Sequence, residues 1–242
     1  MPGLDAATLL ALWERGSVQP MLHRAVTVLA VARPERTSSE WAAVSVGQRD
    51  AALLQVQEDI SGDRLEATTH CPQCGERLEV TFTTRDLRDG AGALPKPDLR
   101  VDVLGYQVDY HLPTTEDLWA AAGHDSNGRG VLLQQCIEAA RLGDAAVDPG
   151  GLPEGVLAAV VDGMARADPL ADLQLELVCG TCLHRWSTTF DILRYLWSEI
   201  EECAAGVLLE VHALATAYGW SEADILSLGP RRRQCYLDLL GA

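Results

Sequence analysis

The sequence lacks a long apolar run and any segment typical of a secretion signal. Its longest apolar stretch, residues 25–32, is interrupted by Thr27 and is far shorter than the roughly 20 residues that a membrane-spanning helix needs. The first residues, MPGLD, place no positive charge ahead of an apolar segment. We therefore expect no membrane span and a cytoplasmic location.

Positive charge is also scarce. There are 19 lysines and arginines against 35 aspartates and glutamates, so the formal net charge is -16 at pH 7. An acidic surface repels the phosphate backbone, which provides most of the affinity of proteins for nucleic acid. The composition therefore disfavours direct binding to DNA or RNA.

Familiar catalytic motifs are missing as well. The sequence contains no glycine-rich phosphate loop ending in Lys-Ser or Lys-Thr, no His-Glu-x-x-His motif and no Gly-x-Ser-x-Gly motif. His124, Asp125 and Ser126 have the residue types of a catalytic triad. A triad is assembled in space rather than from consecutive residues, so we interpret these three as an exposed turn and expect no enzymatic activity.

What is present is the composition of a folded protein, with 48% apolar and 22% charged residues over a length of 242. The periodicity of the apolar residues predicts an α+β fold in three regions. A helical region covers residues 1–60, a mixed region of hairpins and helices covers 61–190, and a helical module covers 191–242.

Apolar spacing and capping residues place several helices. One is predicted over residues 39–56, with Ser38 or Ser39 as its cap. Two more are predicted over residues 131–142 and 153–167.

Two further helices have clear ends. Thr114 and Asp117 have the spacing of a capping box, which predicts a helix start after Thr114. One long helix is predicted over residues 193–218, ended by Gly219 in the left-handed conformation.

Period-two alternation predicts three β-hairpins, over residues 65–82, 99–110 and 173–190. The first and third hairpins repeat one pattern. A shift of 108 positions superimposes Cys71 on Cys179 and Cys74 on Cys182, and it also aligns the two phenylalanines of the chain.

A strand, a Cys-x-x-Cys turn and a second strand form a rubredoxin-like knuckle, which aims two sulfurs at one point. Two knuckles provide the tetrahedral four-sulfur shell that zinc prefers. We therefore predict a zinc site built from Cys71, Cys74, Cys179 and Cys182, in a zinc ribbon split by an insertion of 104 residues. A closed four-sulfur shell leaves no position for substrate, so the metal would be structural. Ligand type alone leaves iron as an alternative.

Other roles for cysteine are less compatible with the pattern. A thioredoxin-like pair would lie between a strand and a helix start, whereas both pairs here are followed by a strand pattern, and disulfides are not expected in a reducing compartment. His70 and His184 adjoin the turns, and we interpret them as solvated or as donors to a sulfur rather than as ligands. The remaining cysteines, Cys136, Cys203 and Cys235, occupy apolar helical positions and are predicted to be core residues.

The carboxy-terminal segment resembles a known family. The stretch EVHALATAYGWSEADILSL at residues 210–228, followed by RRRQCYL at 231–237, is similar to the signature of the T-even-type phage baseplate hub protein family, which also occurs in bacterial phage-tail-like contractile injection systems. The phrase YHLPTTEDL at residues 110–118 and the two Cys-x-x-Cys knuckles resemble the longer bacterial members. The specific part of the resemblance covers about fifty residues, 190–240.

The resemblance implies a non-catalytic structural or assembly component of a contractile tail baseplate, which binds other tail proteins of the hub or wedge in the cytoplasm or in an assembled particle. Trp, Tyr and Arg dominate interface energetics, so we predict Trp220, Arg232, Arg233 and Tyr236 to be exposed partner-binding residues. A zinc-ribbon regulatory or nucleic-acid-associated protein is the alternative from another class. A thiol oxidoreductase is a third hypothesis and requires an exposed cysteine of low pKa.

Overall fold

The computed structural model describes residues 5–91, 99–124 and 128–241, in which helices alternate with small antiparallel sheets. The helices are α1 (Ala6–Ser17), α2 (Met21–Ala32), α3 (Ser38–Ala42), α4 (Val46–Ser61), α5 (Thr84–Ala91), α6 (Thr115–Ala122), α7 (Gly128–Cys136), α8 (Glu154–Ala167), α9 (Ile192–Tyr218), α10 (Glu222–Ser227) and α11 (Pro230–Leu240). The strands are β1 (Arg64–His70), β2 (Arg77–Thr83), β3 (Arg100–Val103), β4 (Tyr106–Tyr110), β5 (Ile137–Leu142), β6 (Ala145–Ala146), β7 (Gln174–Val178) and β8 (Arg185–Thr189).

This mixture of helices and small antiparallel sheets agrees with the predicted α+β class. None of the described helices is both long enough and apolar enough to cross a membrane. Of the three residues interpreted as an exposed turn, Asp125 and Ser126 lie outside the described residues.

The amino-terminal helices begin at side chains that cap them. At the start of α3, the Glu40 N–H donates to the Thr37 hydroxyl at 3.3 Å and the Thr37 N–H donates to the Glu40 carboxylate at 2.7 Å, which together form a capping box. Ser45 caps α4 in the same region. The predicted helix over residues 39–56 is therefore wrong in its cap and in its continuity, because Thr37 provides the cap and Ser45 starts a second helix.

The longest helix, α9, runs through the main core of the protein and confirms the predicted long helix. Leu196, Ile200 and Leu214 are fully buried in this core, where α9 packs against α1, α2, α4, α10 and α11. Gly16 of α1 lies so close to the Trp197 ring that a Cβ atom would collide with it. Glycine therefore permits the close approach of α1 to α9. The helix ends, as predicted, at a glycine with a φ of 68°.

A second, smaller core lies between α8 and the sheet ordered β3-β4-β5-β6. The second half of the predicted helix over residues 131–142 is wrong, because α7 ends at Cys136 and the chain continues as β5. Ala140 of β5 pairs with the fully buried Val108 of β4. The segment consists mostly of good helix formers, so tertiary pairing has overridden their local preference.

The two cysteine hairpins have the predicted strand pairing. We call β1, its turn and β2 the first knuckle, and β7, its turn and β8 the second knuckle. Leu65 lies opposite Phe82 in the first, and in the second the Phe190 N–H donates to the Leu173 carbonyl at 2.7 Å. Both leucines are buried in the main core, so each knuckle is anchored at its base to the helices.

Candidate metal centre

The first knuckle reverses the chain through a short hydrogen-bonded turn. The Cys71 N–H donates to the Glu76 carbonyl at 2.8 Å, and the Gly75 N–H donates to the Cys71 carbonyl at 2.9 Å. Gly75 has a φ of 74°, which lies in the left-handed region that glycine adopts without steric cost. This residue allows the chain to turn back directly after Cys74.

The second knuckle repeats these hydrogen bonds with different residues. The Cys179 N–H donates to the His184 carbonyl at 2.9 Å, and the Leu183 N–H donates to the Cys179 carbonyl at 3.0 Å. Leu183 occupies the position of the glycine in the first turn and has a φ of 60°. A side chain in this conformation crowds the following carbonyl oxygen, so the second turn is strained where the first is not.

The turns bring the four predicted cysteine sulfurs together. The Cys71 and Cys182 sulfurs are 3.6 Å apart, the Cys74 and Cys179 sulfurs are also 3.6 Å apart, and all four lie within 4.8 Å of one another. Tetrahedral zinc with Zn–S bonds of about 2.3 Å separates its sulfurs by about 3.8 Å. The cluster is therefore compatible with a zinc site, and both close pairs join one knuckle to the other.

Burial divides the four cysteines in the same way in each knuckle. The first cysteine of each turn is buried, with Cys71 2% and Cys179 0% exposed. The second cysteine is more accessible, since Cys74 is exposed and Cys182 is half-buried. A metal held by all four would still have a complete tetrahedral shell, which leaves no coordination position for water or substrate.

The sulfurs differ in acidity. The backbone N–H of Cys182, supported by that of Thr181, stabilises a thiolate and lowers the pKa of Cys179 to about 6. The backbone N–H of Glu76 acts on Cys74 in the same direction, but hydrogen bonding with the other sulfurs and burial raise the pKa of Cys74 to about 12. Among the four thiols, that of Cys179 therefore loses its proton most readily, because backbone N–H groups point at its sulfur.

Aromatic side chains join the two knuckles beneath the sulfurs. The rings of Phe82 and Phe190 meet edge to face, with their centroids 5.0 Å apart. Tyr195 of α9 contacts Phe190, and its hydroxyl accepts a hydrogen bond from the Glu66 N–H at 3.2 Å. The alignment of the two phenylalanines in the sequence repeat thus corresponds to a direct contact between the hairpins.

The residues next to the turns do not enter the sulfur cluster. His70 at the end of β1 is exposed, and the half-buried His184 stacks on Trp186 with 5.9 Å between ring centroids. The group of possible metal-binding atoms found at this centre, among the described residues, consists of the four cysteine sulfurs.

The three cysteines outside the cluster differ in burial. Cys136 is fully buried and Cys203 is half-buried, but Cys235 is exposed. The prediction that all three are core residues is therefore wrong for Cys235, which lies on the outer face of α11. Burial, and then the nearby carboxylate of Asp117, raise the pKa of Cys136 to about 12.

The predicted partner-binding residues do not form one exposed patch. Arg232 is exposed, but Arg233 is buried, contrary to its prediction as an exposed contact. The Arg233 guanidinium donates to the Glu210 carboxylate at 2.8 Å and to the Leu228 carbonyl at 2.7 Å, so this side chain ties α11 to α9 and to the end of α10. The half-buried carboxylate of Glu210 provides the partner that a buried guanidinium needs, which explains why this arginine turns inward.

Trp220 and Tyr236 are half-buried and take part in an aromatic cluster with Tyr218. Trp220 stacks on Tyr218 and meets Tyr236 edge to face, with ring centroids 4.8 Å apart in both pairs. Each ring therefore has a structural contact as well as an accessible edge.

Comparisons with known proteins provide no relative for this chain: no family model, no curated protein and no solved structure matches it.

Proposed function

We propose that this chain is a non-catalytic structural or assembly component of a contractile phage-tail-like baseplate, that zinc at the four-cysteine centre stabilises it, and that it binds other tail proteins of the hub or wedge. The zinc ribbon is split, with its two knuckles separated by the insertion that carries the smaller core. Four thiolates would hold the zinc in a closed shell, which suits a structural role.

The baseplate assignment rests on the resemblance of residues 210–228 and 231–237 to the family signature. Residues 210–237 form one unit, in which the ion pair of the buried Arg233 with the half-buried Glu210, together with the aromatic cluster, holds α11 and α10 against the end of α9. This unit leaves Arg231 and Arg232 exposed at the start of α11. Two adjacent exposed arginines on an otherwise acidic protein are well suited to contact an acidic surface of a partner.

The same acidity argues against the alternative of a nucleic-acid-associated zinc ribbon, because such proteins need a basic face. A thiol oxidoreductase needs an exposed cysteine of low pKa, whereas Cys179, whose pKa is lowered, is buried, and Cys74, which is exposed, has a raised pKa.

The proposal can be tested by producing the full chain together with hub and wedge proteins of a contractile tail. The double variant Arg231→Glu/Arg232→Glu should keep its zinc content and melting temperature, because both side chains are exposed, and should lose co-purification with its partner. Arg141→Glu, at an exposed position in β5 far from the module in sequence, is the matched control and should still co-purify.

Two results would contradict the proposal. One is a wild-type chain that binds none of these tail proteins. The other is a folded double variant that still co-purifies and still supports tails of normal length. Arg233 is unsuitable for this test, because replacing a buried, paired arginine would leave Glu210 unpaired and destabilise the module.

A further inference from the structure

A second group of metal-binding side chains lies in the insertion, away from the four cysteines. A ring nitrogen of His111, a carboxylate oxygen of Asp117 and the sulfur of Cys136 all lie within 4.8 Å of one another. We infer that these three residues form a second binding site for a divalent transition metal such as zinc or cobalt. This inference is independent of the proposed baseplate function.

The fold positions all three donors by backbone structure. His111 directly follows β4, and its N–H donates to the Cys136 carbonyl at 2.9 Å, where α7 passes into β5. Asp117 lies in the first turn of α6, held there by the capping box with Thr114. The positions of the donors are therefore set before any metal arrives, which lowers the cost of assembling a site.

The distances suit tetrahedral coordination. The His111 Nε2 atom lies 3.2 Å from the Asp117 Oδ2 atom, which also accepts hydrogen bonds from Thr114. A metal would replace the hydrogen bond between His111 and Asp117, and the separation is close to the roughly 3.3 Å expected between a nitrogen and an oxygen bound to one zinc ion. The Cys136 sulfur is within 4.8 Å, so a movement on the order of 1 Å would bring it to bonding distance. An imidazole, a carboxylate and a thiolate together favour zinc or cobalt over magnesium or calcium, which prefer oxygen ligands.

A carboxylate next to the histidine provides further support. The Nδ1 atom of His111 lies 3.7 Å from the Glu138 Oε1 atom, on the side of the ring away from Nε2. Histidines that bind metal through one nitrogen usually direct the other to a carboxylate or carbonyl, which fixes the ring and raises its basicity. Glu138 is the positioning residue in this arrangement.

The same three residue types could suggest a cysteine nucleophile activated by histidine and aspartate. That interpretation requires a sulfur that substrate can reach, whereas Cys136 is 0% exposed. A metal ion needs no such access to the sulfur, because it would lie between Cys136 and the more accessible side chains of His111 and Asp117, which are 33% and 16% exposed. With three protein ligands, the fourth position would be left for water.

The test is a cobalt titration of the full-length protein with zinc already bound at the four-cysteine centre. We expect one saturable equivalent of cobalt with a thiolate-to-cobalt absorption band. Cys136→Ser should remove the band, His111→Gln should abolish saturable binding, and Glu138→Gln should weaken binding about tenfold. Cys203→Ser, at a half-buried cysteine outside both groups of metal-binding residues, is the control and should leave the band unchanged.

Zinc retained by the protein is measured in parallel, so that cobalt exchanging into the four-cysteine centre is recognised. The inference is overturned if the wild type takes up no saturable cobalt, if uptake only matches the zinc released, or if the band persists in both Cys136→Ser and His111→Gln. Because His111 is partly exposed, His111→Gln keeps the test valid even if the buried Cys136→Ser variant folds poorly.

Discussion

The two knuckles have the same backbone hydrogen bonds, the same order of buried and accessible cysteines and a leucine buried at the same place, yet they differ at the residue that follows the second cysteine of the turn. The first turn has Gly75 in the left-handed region and the second has Leu183, whose side chain is 74% exposed. An exposed leucine gains little from burial, so its contacts do not offset the unfavourable backbone conformation.

This difference indicates what determines the shape of a knuckle. The second turn adopts the conformation of the first without the residue that favours it. The surrounding hydrogen bonds, and the convergence of four sulfurs, therefore impose the conformation on Leu183. We therefore expect the metal centre to provide most of the stability of both knuckles. The residues of the turns should change that stability by a smaller amount.

The largest expected effect comes from the ligands. Cys71→Ser and Cys179→Ser should each release the zinc and should destabilise the protein to a similar extent, because each removes one buried thiolate from the shell. Zinc binding contributes about 10 kcal/mol in zinc-finger peptides, which is comparable with the total stability of many domains. Zinc analysis and thermal unfolding would measure both losses.

The control for this prediction is Cys235→Ser, at an exposed cysteine outside the cluster, which should keep its zinc and its melting temperature. Zinc that stays bound in either ligand variant when His111→Gln is also present, so that the second site is removed, would contradict one centre shared by the two knuckles.

A smaller and again equal effect is expected at the bases of the knuckles. Leu65→Ala and Leu173→Ala should each lower the free energy of unfolding by about 3 kcal/mol, because both leucines are buried in the main core and truncation leaves a cavity. Urea unfolding of the zinc-bound protein would measure the change. Leu209→Ala, at a leucine that is 70% exposed, should change it by less than about 0.5 kcal/mol.

If one of the two core variants proved far less destabilised than the other, the knuckles would not be anchored equally.

The smallest effect is expected at the turn itself and should have opposite signs in the two knuckles. Leu183→Gly should stabilise the protein by about 0.5–1 kcal/mol, since glycine relieves the left-handed conformation but increases the entropy of the unfolded chain. Gly75→Ala should destabilise it by about 1 kcal/mol. The midpoint of denaturant unfolding, with zinc bound, would report both changes, and a destabilised Leu183→Gly would mean that the leucine side chain has a stabilising contact.

Much of the fold follows from short-range patterns in the sequence. Alternating apolar residues predicted the hairpins, and the repeat predicted that Cys71 and Cys179 would meet, since two matched knuckles can share one centre. The capping box at Thr114 and the glycine that ends α9 were predictable because both depend on a few neighbouring residues.

The features that were not predicted depend on contacts distant in sequence. Residues 137–142 favour a helix locally and form a strand only because β4 lies beside them. Sequence likewise does not reveal which of three consecutive arginines turns inward, since the choice of Arg233 depends on Glu210 in another helix. The proximity of His111 to Cys136 also depends on a contact distant in sequence. Strand β5, which follows Cys136 and lies beside β4, was predicted as part of a helix.

The distance along the chain between the two cysteine pairs also affects the order in which the protein can fold during synthesis. The 104 residues that separate Cys74 from Cys179 take about 5–20 s to translate at typical rates of 5–20 residues per second. During that interval the nascent chain contains only two of the four cysteine sulfurs. The first helices also lack α9, against which they pack in the finished protein. The smaller core of the insertion is complete earlier, so it can fold first and shorten the distance that the second knuckle must cross to reach the first.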